Sequence, residues 1–117
     1  MNYVDGFICA VSTATKDAYT DYAKKYGLIF KEYGALSVVD CWGDDVPEGK
    51  NTSFTMAVKR EADESVVFSW VTWPSKAARD QGWKKVMADP RMNPQKHAMP
   101  FDGKRLIYGG FQVISDV

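Results

Sequence analysis

Four residues stand out for the chemistry they could do: one histidine, two carboxylates set among apolar neighbours, and an arginine near the C-terminus, namely His97, Asp5, Asp40 and Arg105. His97 is the only imidazole in the chain, so it is the natural general base or metal ligand near neutral pH. Its setting, KHAMPFDG, is irregular, and a partly exposed loop histidine with no chemical duty is the plainer reading. One histidine without ligand spacing around it makes no haem or metal pattern, and no cofactor is expected. Asp5 and Asp40 interrupt the apolar runs YVDGFICAV and SVVDCW. A carboxylate in such a place is costly unless paired or protonated, which would raise its pKa and suit proton transfer. The alternative is a structural ion pair or hydrogen bond with Arg105 or Lys104, or, for Asp40, a sheet edge turned to water.

Trp70, Trp73, Tyr108 and Phe111, with Trp42 and Tyr3, could line a cleft for an aromatic or lipophilic molecule. Packing in a core or between two copies is the competing explanation, and a buried indole or phenol would still need a hydrogen-bond partner. The loop Asp44, Asp45, Val46, Pro47, Glu48, Gly49 lacks EF-hand spacing and reads as a solvated turn. Gly109-Gly110 lacks the context of a phosphate loop and suggests a bulge or a close backbone approach. There is no CxxC pair or HExxH motif. Cys9 and Cys41 both fall in apolar, strand-like segments and read as buried, reduced thiols.

The elements that must position these groups follow from periodicity. Residues 3 to 12 form a strand with apolar residues on both faces. A helix capped by Thr13 or Thr15 runs to about Tyr33, its inner stripe made of Tyr19, Tyr22, Ala23, Tyr26, Ile29 or Phe30, and Tyr33, and Gly34 stops it. Strands follow at 35 to 43, at 52 to 59 and at 65 to 73, the last being the most apolar. Pro74 ends it and Ser75 caps a second helix to about Ala88, with Ala78, Gly82, Trp83, Val86 and Met87 inward. Residues 89 to 105 form an ordered loop in which Met92, Met99 and Phe101 pack and Asp102-Gly103 turns. A last strand occupies 106 to 115. The order β-α-β-β-β-α-β is close to the split βαβ pattern of ferredoxin-like α+β folds.

With 117 residues, 45% of them hydrophobic, the chain suits a single domain, residues 1–117, with a real core. Fifteen basic residues balance fifteen acidic ones, which offers no overall attraction to phosphate backbones or anionic lipid. YGGFQVIS lacks the leading basic residue and terminal aromatic of an RNA-recognition strand, so nucleic acid is not expected as a partner. The N-terminal residues do not resemble a secretory signal and no apolar run approaches a membrane span, so the expected location is cytoplasmic. Two helices can shelter only one face of an open antiparallel sheet. Phe7, Val39, Phe68 and Trp70 compete with Ile8, Leu36, Val38 and Trp73 for that cover. A contiguous apolar patch left over is unusual for a monomer, and a homodimer is expected.

The stretches VDGF, CWGDDVPEGKNTSF, VVFSWVTWPSKAARD, VMADPRM and above all AMPFDGKRLIYGGF resemble a family of small bacterial proteins, domain of unknown function 1428, within the dimeric α+β barrel superfamily. The resemblance spans nearly the whole chain. It implies two ferredoxin-like protomers meeting sheet to sheet. The superfamily also holds cofactor-free monooxygenases, haem-degrading enzymes and stress-response proteins, so the fold alone does not choose an activity. Two function classes stand open. One is an oxygenase-like or isomerase-like enzyme or binder with a small apolar or aromatic ligand between sheet and helices. The other is a non-catalytic stress or interaction protein; an RNA-associated protein is a remote third.

Overall fold

The computed structural model describes every residue except His97. Strand β1 (Tyr3–Ser12) passes through one 3-10 turn into α1 (Lys16–Glu32), followed by β2 (Ser37–Trp42), the short α2 (Phe54–Ala57), β3 (Glu64–Trp73), α3 (Lys76–Ala88) and β4 (Ile107–Gln112). The strands make one antiparallel sheet in the order β2-β3-β1-β4. This is the ferredoxin-like arrangement, with β1 and β3 central and a helical crossover after each.

The expected strand at 52–59 is instead α2 and its exit. The alternating Phe54, Met56 and Val58 read as a strand, but Phe54 and Val58 are also one helical turn apart. Ser53 decides the matter, because its side chain accepts a hydrogen bond from the Met56 amide and caps the turn. Neither Thr13 nor Thr15 caps α1: they lie in the preceding 3-10 turn, and Thr15 donates its hydroxyl to the Ser12 carbonyl at 3.0 Å. Ser75 does cap α3, accepting from the Ala78 amide at 3.1 Å. The loop before β4 is ordered by two 3-10 turns, with Met92 and Phe101 packed on the core and Met99 exposed.

Helices α1 and α3 cover one sheet face. There Cys9, Val11, Val67, Val71 and Trp73 meet Tyr19, Phe30 and Val86. Met87, expected inward, is exposed on α3. The expected grouping of Phe7 with Phe68 and Trp70 also fails. Ile8 pairs with Phe68 across the ladder, while Phe7 pairs with Ser69 and packs on Trp83 beneath the helices. Alternation within a strand is written in its sequence, but the relative phase of two strands is set by register.

The opposite face carries Val4, Ile8, Phe68, Trp70, Ile107 and Phe111, and neither long helix covers it. At one end α2 folds over it, where Val58 joins Ala10 and Val66 in a small buried cluster and Phe54 sets its ring edge-on to Phe68 at 6.0 Å. Elsewhere the face is open, with Phe68 42% and Phe111 61% exposed.

Candidate functional site

Asp5 is the most deeply buried charged residue among those described. Its position on β1 points it under α3, where every lone pair is taken. Trp73 and Trp83 donate their indole N–H groups to Oδ2 at 2.9 and 2.8 Å. Arg79 adds Nε at 3.1 Å to both oxygens and Nη2 at 2.7 Å to Oδ1. The partner is thus Arg79 rather than Arg105 or Lys104. The Arg79 guanidinium also lies over the Tyr3 ring, 5.2 Å from its centre. Both Tyr3 and Arg79 lean over Gly110, where an added Cβ would sit 2.5 Å from the Tyr3 hydroxyl and 2.9 Å from Arg79. This is the close backbone approach foreshadowed by the double glycine. The β1–β4 ladder there runs without a bulge. A carboxylate engaged by four donors ties β1 and β3 to α3.

Arg105 makes a second such clasp. Its guanidinium grips both oxygens of Glu64 at 2.7 and 2.8 Å and reaches Asp102 at 3.1 Å and the Lys59 carbonyl at 2.9 Å. It fastens the turn before β4 to the start of β3. The hydrogen bonds from Arg105 hold the Glu64 carboxyl down at about 2, from an ordinary 4.5. A depressed carboxyl stabilises the fold above its unfolded pKa, and that contribution disappears as pH falls from about 4.5 to about 2. Glu64→Gln should therefore be clearly less stable than the parent at neutral pH, with the gap in urea midpoint closing across that window. A gap that persisted at pH 2 would refute the clasp as its source.

Asp40 differs from both. It sits on edge strand β2, where Oδ1 accepts from the Tyr19 hydroxyl of α1 at 3.1 Å, and no cation lies within 4 Å among the described residues. Asp40 is exposed on β2, yet partial burial of its carboxyl raises its pKa, opposed in part by the hydrogen bond from Tyr19. The two residues border a recess of about 220 Å³ between α1 and β2, walled also by Thr20, Ala23, Lys24 and Trp42. Beneath Tyr19 lies Cys9, whose thiol is pushed from 9.0 up to about 11, mainly by burial. Its thiolate fraction is then about a hundredfold below ordinary, and native Cys9 should alkylate slower by at least that factor than in urea, read by mass spectrometry. Equal rates would mean that this part of the core opens freely. Cys41, expected buried, is exposed, and neither cysteine is in a disulfide.

The four expected ligand-binding aromatics divide between two places. Trp70 and Phe111 floor a hollow of about 600 Å³ on the open sheet face, with Tyr108 at its rim. Trp73 is wholly buried on the other side. The hollow has almost no polar lining, whereas the recess has a carboxylate, a phenol and an ammonium. His97 lies outside the described residues. Sequence reasoning missed Arg79, Trp83, Tyr19 and Lys24. For Tyr19 a signal existed: four positions of the stripe read for this helix are tyrosines, whose hydroxyls need partners when buried. No group of three or more metal-ligating side chains occurs among the described residues, and no helix there is long and apolar enough to cross a membrane.

Comparison with known proteins agrees with this fold. The chain is 57% identical to the protein YbaA of Escherichia coli K12 over 116 residues, covering 99% of each, and equally so to YbaA of Shigella flexneri. Among solved structures it resembles a dimeric ferredoxin-like protein from an uncultured marine organism, with TM-score 0.65 at 10% identity and coverage of 99% and 98%. It also resembles SnoaB, a cofactor-independent oxygenase from Streptomyces nogalater, with TM-score 0.61 at 10% identity and coverage of 99% and 96%. At such identities the shared property is the fold. Residues 2–103 match the model of the protein family of unknown function DUF1428, and with the YbaA likeness spanning almost the whole chain, the protein belongs to that family.

Proposed function

We propose that the protein works as a homodimer, joined through the helix-free sheet face, and that it binds a small apolar or aromatic molecule. The observation that carries this reading is the open face itself. Ile8, Phe68, Trp70, Ile107 and Phe111 form a contiguous apolar surface, of a kind soluble monomers rarely leave in water. A second copy of the same sheet offers a matching surface, and a two-fold axis makes the patch self-complementary. The dimeric ferredoxin-like structure and the oxygenase with the same fold support the pairing and the small-molecule reading respectively. The alternative, an interaction protein with no ligand, would share the dimer but would leave the recess on the helix side without a purpose.

Light scattering at low micromolar concentration should give twice the chain mass. Trp70→Glu, which puts a charge in the middle of the face without touching the helix-side core, should halve it. A parent protein that stays single under these conditions removes the homodimer. A panel of single-ring aromatic compounds should raise the melting temperature, and a panel without effect would leave only the interaction reading.

A further inference from the structure

We propose that the recess between α1 and β2 is a binding site for a small hydroxyl-bearing aromatic molecule, whose O–H is received by Asp40. The inference rests on the reading that the protein binds a small molecule, and not on its pairing with a second copy.

Size limits the ligand first. About 220 Å³ is bounded by Tyr19, Ala23, Val38 and Trp42, and a cavity of about 150 Å³ already admits benzene. One ring with one or two substituents therefore fits. The walls favour a flat apolar body: an indole, a phenol ring and aliphatic side chains. Lys16 already lies by the Trp42 ring, with Nζ 5.8 Å from its centre.

Charge limits the ligand next. A carboxylate that accepts from the Tyr19 hydroxyl has used one of its roughly four acceptor positions there. With no cation within 4 Å to claim the rest among the described residues, Asp40 can take a further donor. That donor would not be an ammonium group, because Lys24 lines the recess and Lys16 stands at Trp42, and both repel a cation. A neutral O–H satisfies the carboxylate without that repulsion. Tyr19 is already an example, since its phenol is held by Asp40 in this way. The recess lies on the helix side of the sheet, opposite the open face, so both subunits of a dimer would keep it.

The test uses p-cresol and 4-methylanisole, in which a methyl group takes the place of the hydroxyl hydrogen, with the 117-residue chain at neutral pH. Equilibrium dialysis should show p-cresol bound at least about tenfold more tightly, the worth of one hydrogen bond to a charged acceptor. Asp40→Asn should remove most of that preference. In spectra of the ¹⁵N-labelled protein, the indole N–H of Trp42 should shift on titration with p-cresol while that of Trp70 stays in place. Equal affinity for the two compounds in the parent protein overturns the role of Asp40, even if Trp42 responds. A response at Trp70 alone places the ligand on the open face and overturns the site, although small-molecule binding would stand. If neither compound binds at concentrations that saturate other single-ring aromatics, the hydroxyl specificity falls. If no aromatic binds at all, the proposed function falls with it.

Discussion

Replacing Asp5 with alanine is expected to cost about 3–5 kcal/mol of folding stability, the usual consequence of removing one partner from a buried ion pair. The substitution strands the donors of three side chains together. The Arg79 guanidinium loses its bidentate acceptor, and the indole N–H groups of Trp73 and Trp83 lose theirs. Trp73 is fully buried, so water cannot replace the lost bond without opening the core. Urea denaturation followed by tryptophan fluorescence measures the effect. Alanine at Arg79 as well should cost less than the two single changes added together, with a coupling of up to about 3 kcal/mol, because residues within one network do not act independently. A cost below about 1 kcal/mol for Asp5→Ala, or strict additivity, would show that the sheet and α3 are held by packing alone.

Gly82→Ala is expected to destabilise by about 3 kcal/mol, against the direction of helix propensity, which would credit alanine with about 1 kcal/mol. Gly82 lies in the middle of α3 and is buried. A Cβ there would collide with the Trp73 ring at Cζ3, lie 2.6 Å from its Cη2, and come within 2.9 Å of the Tyr33 carbonyl. None of these is the loose end of a flexible chain. The indole is fixed by its bond to Asp5, and the carbonyl belongs to the end of α1. Overpacking of this kind typically costs 1–3 kcal/mol, and a site closed on two sides by fixed groups belongs at the top of that range. The urea midpoint decides it: an increase in stability would mean that α3 can ride away from the sheet.

These two effects also mark where the sequence was readable and where it was not. The lengths and limits of β1, β3, α1 and α3 follow from period, from Pro74 and from Ser75, because those signals are local. Asp5 announces by its apolar neighbours that it needs a partner. Nothing local says that the partner stands 74 positions away on α3, on a helix turn rich in charges that look merely solvated. Gly82 looks like a flaw in a helix until the ring of Trp73 is seen beneath it. The segment 52–59 fits either secondary structure, and a single hydroxyl at Ser53 tips the balance. The recess required three facts at once: the phase of α1, the phase of β2, and the hydroxyl of a tyrosine that counts as core by its ring. Asp40 was visible as a candidate, whereas Tyr19 and Lys24 emerge only when the helix is laid on the sheet.

The crowding of Tyr3 and Arg79 over Gly110 has an effect beyond the subunit that contains it. β4 is an outer strand, largely exposed along Ile107–Gln112, and a long unpaired strand of isoleucine, tyrosine and phenylalanine would invite uncontrolled strand addition by other chains. The requirement for an absent side chain at Gly110 places one of the poorest strand formers near its centre. The room needed by an internal arginine thus also weakens the outer edge as a template for fibril growth, and a bulkier residue at Gly110 would both dislodge the arginine and make that edge more adhesive.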